Sequence, residues 1–332
     1  MKIPTAIIFL PFLVLVFSCE HTGEPEWQTP GTWVFSRAAD STRFYHAIQF
    51  VDAGNGWIVG DSGTILHTSN GGTSWETQQS GTTASLWSVR FRGIHNGWAC
   101  GRNTIGMTRD GGFSWAWQYP AGDSLRGFLC LFFADELSGW IGDNMGGILH
   151  TQDGGQTWIE QATGTNFAIG AMQFLDASEG WALSVGGSVL HTLDGGAHWA
   201  STDLRGLDCG SAHIGMPRDI FFSDQSTGWI ATDMSMSSTM DPLAAMPYTA
   251  DAGSTCGCLP TPNAQVNAIW FANRSLGWEA DGRGIMPTTD GGSNWEYECE
   301  TPTYHMIDLS MVDASHGWAL TFRGEVYTYV RP

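Results

Sequence analysis

The chain has almost no lysine and few positive charges. Its 332 residues hold 14 Lys and Arg in total against 33 Asp and Glu, and the single lysine is Lys2. Charged residues make up only 14% of the sequence, and the formal net charge at pH 7 is −19. Such a surface repels phosphate backbones and lacks the basic clusters that bind anionic lipid. We therefore expect no nucleic-acid partner.

Several catalytic signatures are also missing. The sequence has no His-Glu-x-x-His, no Gly-x-Ser-x-Gly, no phosphate-binding loop and no Cys-x-x-Cys-His for haem. We predict that the protein is not an enzyme and carries no cofactor or metal. A glycosidase is the residual alternative, and it would need two carboxylates at a set spacing.

Glycine and tryptophan, by contrast, are abundant. The chain has 43 Gly and 17 Trp, and 42% of its residues are hydrophobic. The hydrophobic content excludes a disordered chain. Many glycines together with many tryptophans indicate many tight turns and many large packing residues, which favours an all-β protein.

The N-terminus reads as an export signal. Lys2 precedes an apolar run, Ile3 to Phe17, that is too short to span a bilayer. The run ends at Ser18-Cys19 and resembles a bacterial lipoprotein signal, in which the cysteine is lipidated. We predict a signal peptide at 1–18, a tether at 19–31, and an anchor on Cys19 that holds the protein in the bacterial cell envelope, facing the periplasm or the exterior. A plain secretory signal with an incidental Cys19 is the alternative.

A composite pattern repeats seven times along the rest of the chain. Gly-Trp pairs recur at intervals of 40 to 49 residues, and an aromatic or Met marker stands six residues before each glycine. The markers are Phe50, Phe91, Phe133, Phe174, Phe222, Phe271 and Met311. Each unit reads as four short strands, and a period near 42 with four strands per unit is the signature of a β-propeller blade. We predict a seven-bladed propeller over residues 32–332.

A second element of the repeat is a turn of the type Asp-Gly-Gly-x-x-Trp. Its acceptor side chain closes the turn on backbone N–H groups, the glycines supply positive φ, and the Trp offers a packing face. Because these acceptors recur at one phase, we predict a structural role for them. They are Asn70, Asp110, Asp153, Asp194, Asp251 and Asp290.

The seventh unit stops after its third predicted strand, Glu325–Val330. The Trp of the segment Thr32–Ser36 precedes the first Gly-Trp at the spacing of a fourth strand. We expect this N-terminal strand to complete the last blade, since an open ring leaves unpaired edges.

The turn is the Asp box of bacterial-neuraminidase-type repeats. The whole unit resembles the photosystem II assembly factor family of oxygenic phototrophs and its bacterial relatives, over about residues 32–330. The resemblance implies a non-catalytic scaffold whose partner is another protein or a peptide, and we expect the protein to be a monomer. The alternative is a glycan-binding or neuraminidase-like propeller, which should show exposed Trp or Tyr beside paired carboxylates.

The first strand of each blade normally lines the central channel, so residues on it are candidates for binding. In the family that the chain resembles, an arginine-rich surface is implicated in engaging the client protein. Arginines scattered over the solvated surface are the alternative. The candidates are His46, Trp87, Arg90, Arg92, Arg126, Arg218 and Asn267.

Three histidines, His67, His150 and His191, recur at one phase on third strands. A metal site would need them to converge, and they lie in units one, three and four. We therefore predict a structural role for them.

Blade five departs from the repeat. Cys256 replaces the Asp-box Trp, and insertions at 203–217 and 234–247 bring Cys, Met and His213 near this blade. A disulfide-stapled insertion and a soft-metal site are the two interpretations. We predict at least one bond among Cys209, Cys256, Cys258 and Cys299, which would make up for the packing lost with the Trp. We expect Cys100 and Cys130 to be free or mutually paired.

Overall fold

A computed structural model describes residues 31–37, 42–119, 125–209, 215–233, 244–261, 265–300 and 305–330. These ranges contain 28 strands in seven four-stranded antiparallel sheets. The helical segments there are two short 3-10 turns, Asp61–Gly63 and Leu204–Gly206. The predicted all-β, seven-bladed fold is therefore confirmed. The predicted signal peptide and Cys19 lie outside the described residues.

Each blade takes its four strands in sequence order, except the last. Blade one has β2 (Tyr45–Phe50), β3 (Gly56–Gly60), β4 (Ile65–Thr68) and β5 (Glu76–Thr77). Blade two has β6 (Leu86–Arg92), β7 (Asn96–Gly101), β8 (Thr104–Thr108) and β9 (Ala116–Gln118). Blade three has β10 (Phe128–Phe133), β11 (Gly139–Asp143), β12 (Ile148–Thr151) and β13 (Ile159–Gln161). Blade four has β14 (Ile169–Phe174), β15 (Gly180–Ser184), β16 (Ser188–Thr192) and β17 (Ala200–Asp203).

The remaining blades carry the departures from the repeat. Blade five has β18 (Met216–Phe222), β19 (Gly228–Asp233), β20 (Ala244–Thr249) and β21 (Gly257–Thr261). Blade six has β22 (Val266–Phe271), β23 (Gly277–Asp281), β24 (Gly284–Thr288) and β25 (Cys299–Glu300). Blade seven has β26 (Met306–Asp313), β27 (His316–Thr321) and β28 (Glu325–Val330), and its fourth strand is β1 (Thr32–Arg37). The first strands of successive blades contact one another all the way round, from β2 to β26 and back to β2, so they surround the axis of the ring.

Strand β1 closes the ring as predicted. It pairs antiparallel with β28 over six residues, from Thr32 opposite Val330 to Arg37 opposite Glu325. The Trp33 side chain is only 4% exposed, and its ring centroid lies 5.1 Å from that of Tyr329. The last blade is therefore held by both hydrogen bonds and an aromatic contact.

The cores lie between blades and are built from the repeat's aromatic residues. The marker Phe of one blade stacks on the Gly-Trp indole of the blade before it, with centroids 3.5–3.7 Å apart at six of the seven interfaces. Phe50, for example, stacks on Trp318 and meets the Asp-box indole of Trp75 edge-on at 5.8 Å. The two tryptophans of the motif thus contact one phenylalanine from two sides.

The recurrent acids are occupied by the turns that they close. Asp110 accepts hydrogen bonds from the backbone N–H of Ser114 at 2.9 Å and from the hydroxyls of Ser114 and Thr108. The Ser114 bonds lower the pKa of Asp110 to about 2. In the preceding loops, Asp52 accepts the backbone N–H groups of Gly54 and Asn55 in the same way. These carboxylates are structural groups with their acceptor sites filled.

Candidate functional site

The central channel is bounded by seven inner strands whose seams are bridged by side chains. At every seam a side chain of one first strand bonds the first-strand backbone of the next blade. In chain order these contacts run from Gln49 to Phe91, Arg92 to Phe133, Cys130 to Ile169, Gln173 to Phe222, Asp219 to Ile269, Asn267 to Met306, and Asp308 to Ile48. Adjacent inner strands are therefore joined by side chains around the whole ring.

Two of the predicted binding residues belong to these seams. Arg92 donates from Nε to the Phe133 carbonyl at 2.8 Å, and Asn267 donates from Nδ2 to the Met306 carbonyl at 2.6 Å. These donor groups are bonded inside the protein, which lessens their availability to a partner.

Three further candidates are bound to carboxylates of their own blades. Arg126 donates from Nε to Asp143 at 2.7 Å, and Arg218 donates from Nε to Asp233 at 3.1 Å. Both acceptor side chains are only 1% exposed. A carboxylate that is buried needs its partner, so these arginines neutralise internal charge. His46 lies 2.9 Å from Asp61, measured from Nε2 to Oδ1.

Trp87 is half-buried and packs on blade three. Gly127 lies so close beneath its indole that a Cβ built on this glycine would fall 2.6 Å from the Trp87 ring. The Trp87 indole therefore packs against the backbone of blade three, and its side chain remains partly exposed to solvent.

Arg90 differs from the other candidates. Its guanidinium lies over the Phe132 ring, with Cζ 5.0 Å from the centroid, and its Nε has no hydrogen-bond partner within the described residues. The residue is deeply placed yet keeps some solvent contact. Burial, followed by the nearby charge of Arg92, lowers its pKa. Arg90 is thus a cation on an inner strand whose Nε is buried without a hydrogen-bond partner within the described residues.

Two carboxylates face Arg90 from distant blades, and the sequence reasoning missed both of them. Asp219 of blade five and Asp308 of blade seven both interact electrostatically with Arg90 of blade two, so charges on three different blades influence one another. Burial raises the pKa of Asp219 to about 6 and that of Asp308 to about 7. Each uses its two oxygens on backbone amides, Asp308 on Ile48 and Leu309 at 2.8 Å.

A signal for these two acids was present in the sequence. They stand three residues before the marker, where the other five blades have Ala, Ser or Cys. The channel therefore combines the Arg90 cation with two acids that are partly protonated near neutral pH. It can offer hydrogen-bond donors to a carboxylate or carbonyl, and the neighbouring Phe132 ring adds an apolar surface.

A third acid with a raised pKa lies outside the channel. Glu279 on β23 is fully buried, and neither carboxylate oxygen has a hydrogen-bond partner within the described residues. Burial, with a smaller contribution from Asp281, raises its pKa well above the ordinary value. Because the side chain is closed off from solvent, we assign it no binding role.

The recurrent histidines pack on tryptophans in separate blades. His67, His150 and His191 stack on the Gly-Trp indoles of their own blades, with ring centroids 4.7–4.8 Å apart. Within the described ranges no three His, Cys, Asp or Glu side chains are grouped to hold a metal ion. Most of the 234–247 insertion, together with His213, lies outside those ranges.

One disulfide staples blade five to the segment that enters it. Cys209 is bonded to Cys258, with Cα atoms 5.4 Å apart, whereas Cys100, Cys130 and Cys256 are free thiols. The bond uses the cysteine two residues beyond the one that replaces the Asp-box Trp. The sequence had suggested that a disulfide would make up for the missing Trp. This bond does not fill the volume that the Trp occupies in other blades.

The surface feature expected of a glycan binder is absent from the described part of the chain. None of the tryptophans there is exposed, and Tyr119 is the only Trp or Tyr among the exposed large hydrophobic side chains. No aromatic platform flanks a pair of carboxylates in these residues.

Comparisons with solved structures show the same fold in proteins of different activity. YCF48 bound to a D1 peptide is 19% identical, with a TM-score of 0.72 over 93% of this chain and 97% of that one. YCF48 from Cyanidioschyzon merolae is 16% identical, with a TM-score of 0.67 over 90% and 98%. An inactive virginiamycin B lyase from Staphylococcus aureus is 13% identical, with a TM-score of 0.72 over 90% and 99%.

At these identities the structural likeness establishes the fold alone. No curated protein matches the sequence. The family model described as photosynthesis system II assembly factor YCF48 matches residues 38–127 and 116–236, which together make up more than half of the chain. The chain therefore belongs to the YCF48 family of photosystem II assembly factors.

Proposed function

We propose that the protein is a non-catalytic scaffold that binds a segment of another protein in its central channel. The observation that carries this proposal is the Arg90 guanidinium, whose buried Nε has no hydrogen-bond partner within the described residues, whereas the other candidate arginines bond to carbonyls or carboxylates. Membership of the YCF48 family and the D1 peptide bound to one YCF48 structure support it.

An acidic or carboxylate-bearing segment suits this site best. Arg90 supplies the positive charge, and the Phe132 ring beneath it supplies apolar contact. Asp219 and Asp308 direct their oxygens at backbone amides, which leaves the guanidinium as the free polar group. A charge-assisted hydrogen bond to such a group contributes about 1.5–3 kcal/mol.

The test is fluorescence anisotropy with a synthetic D1 peptide and with acidic and basic peptides of equal length. We expect the acidic peptide to bind better than the basic one and Arg90→Gln to weaken binding about ten- to a hundredfold. Arg205→Gln is the matched control, because Arg205 is an exposed arginine on the outer part of blade four. Equal affinities of Arg90→Gln and wild type would contradict the proposal.

We further propose that the scaffold is exported and held at the membrane through Cys19 and acts as a monomer. The apolar run Ile3 to Phe17 followed by Ser18-Cys19 supports the anchor. Labelled palmitate should enter the wild-type protein in a bacterial host and be lost in Cys19→Ala. Label that persists in this variant would show that Cys19 is not the anchor.

A further inference from the structure

The interface between blades four and five lacks an aromatic ring that five of the equivalent interfaces contain. In five blades the Asp-box indole meets the marker Phe of its own blade edge-on, with centroids 5.8–6.1 Å apart and planes at 72–88°. In blade five the marker Phe222 stacks on Trp181, but Cys256 stands where the indole would begin. A thiol is far smaller than an indole.

A pocket occupies the place of the missing ring. It encloses about 710 Å³, part of it open to solvent, and its walls include Trp181, Phe222, Ile230, Tyr248 and Cys256. The first three of these belong to the core between blades four and five. The pocket is therefore lined by residues of the kind that surround the Asp-box indole in other blades, but no indole occupies it.

A buried hydrogen-bond donor at the same interface has no acceptor within the described residues. At the five interfaces that precede an Asp-box Trp, the Gly-Trp indole N–H donates to the carbonyl of the first Asp-box glycine, at 2.8–3.2 Å. Trp181 is 1% exposed, and its N–H has no partner within the described residues. The turn opposite has Ala252 in place of that glycine.

We propose that this pocket binds a tryptophan side chain presented by a partner polypeptide. Its indole takes the place of the missing Asp-box ring, edge-on to Phe222. The free Trp181 N–H favours a peptide over an isolated aromatic molecule, because a peptide brings a backbone carbonyl that can accept this bond. The site lies between blades four and five, away from the Arg90 channel, and goes beyond the function proposed above.

The test uses N-acetyl-L-tryptophanamide, free indole and N-acetyl-L-leucinamide as probes of the full-length protein. Calorimetry should show saturable binding of the tryptophan amide at one site, weaker binding of indole, and none of the leucine amide. Equal affinity of indole and the tryptophan amide would overturn the assignment of the ligand to a polypeptide. Absence of saturable binding of the tryptophan amide would overturn the site itself.

A second readout uses the thiol in the pocket wall. Cys256 is partly exposed, whereas the other two free thiols in the described residues, Cys100 and Cys130, are buried. The tryptophan amide should slow alkylation of Cys256 by iodoacetamide at least threefold at saturation, as followed by mass spectrometry of the peptide that contains it. An unchanged rate at saturation would overturn the location of the site.

Variants separate binding in the pocket from binding elsewhere on the protein. Cys256→Trp should fill the pocket and abolish binding, whereas the matched control Cys256→Ser should bind like wild type in calorimetry. Arg90→Gln should leave binding of the tryptophan amide unchanged, which distinguishes this site from the channel. Undiminished binding by a folded Cys256→Trp protein would refute the proposal, and if that variant fails to fold, the alkylation rates of the wild type decide the question.

Discussion

Trp33 is the residue through which the closure of the ring can be tested most directly. It is 4% exposed, lies 5.1 Å from Tyr329 between ring centroids, and donates from Nε1 to a Glu298 oxygen at 3.1 Å. Truncation of a buried Trp to Ala costs about 3–5 kcal/mol through lost transfer energy and the cavity left behind. We therefore expect Trp33→Ala to lower the free energy of unfolding by about this amount.

The measurement is thermal unfolding followed by circular dichroism. At about 2–4 °C per kcal/mol for a large domain, the expected fall in Tm is about 6–20 °C. Phe35→Ala is the matched control, since Phe35 lies on the same strand but is 51% exposed and should cost less than about 1 kcal/mol. If the two variants melt together, β1 does not hold the last blade.

A deletion extends the same test to the whole strand. Removal of residues 20–37 takes away β1 and leaves β28 with an unpaired edge, so we expect aggregation as well as a lower Tm. Removal of residues 20–30, which spares β1, is the control. Size-exclusion chromatography and the same melting assay report both effects, and a deletion of 20–37 that elutes and melts like its control would refute the closure.

Three further predictions concern charge and crosslinking. Because burial raises the pKa of Glu279, this residue's contribution to stability falls as pH rises above about 4.5, so the wild type should lose more stability, or gain less, than Glu279→Gln; equal slopes in chemical denaturation from pH 4.5 to 8 would contradict this. Protonation of Asp308 as pH falls through about 7 leaves Arg90 less compensated, so acidic peptides should bind more tightly at pH 6 than at pH 8, and Asp308→Asn should flatten that change in anisotropy titrations. Cys258→Ser should cost about 2–4 kcal/mol in denaturant unfolding by opening the disulfide, whereas Cys256→Ser should cost less than about 1 kcal/mol; similar costs would argue against the bond.

The blades could be predicted from the sequence because one sequence pattern repeats along the chain. The marker Phe, the Gly-Trp pair and the Asp box are close together in the chain, and the stacking of the marker Phe on the Gly-Trp indole of the preceding blade repeats around the ring. The closing strand could be predicted as well, since the spacing of Trp33 matched the fourth strand of other units. A local pattern that recurs seven times fixes a fold whose interfaces are all of one kind.

The channel could be predicted only in part. The repeat predicts that Arg90 lies on an inner strand. Whether its guanidinium has a bonding partner depends on which carboxylates the other blades place near it. Arg92 shows the contrast, because its partner is a backbone carbonyl of the next blade, 41 residues away in sequence. Distances between blades decide such pairings, and a single sequence carries no direct measure of them.

The pocket in blade five could be predicted in part as well. The replacement of the Asp-box Trp by Cys256 was visible, but a disulfide was expected to make up for it. In the structure the bond joins Cys209 to Cys258, which lies within β21, whereas Cys256 precedes that strand and lines the pocket. Which of two cysteines so close in sequence reaches Cys209 depends on the path of the incoming segment, and the spacing of the cysteines does not encode that path.

The closure by β1 also sets an order of folding. The Gly31 N–H donates to the hydroxyl of Tyr329, 298 residues away, whereas the strands of every other blade are neighbours in sequence. Six blades can form their internal hydrogen bonds as the chain is made, but the seventh must wait until β28 is available to pair with β1. Until then β1 is a hydrophobic strand without its partner. The ring therefore closes only when the chain contains both β1 and β28. A chain that has lost either strand cannot complete its last blade.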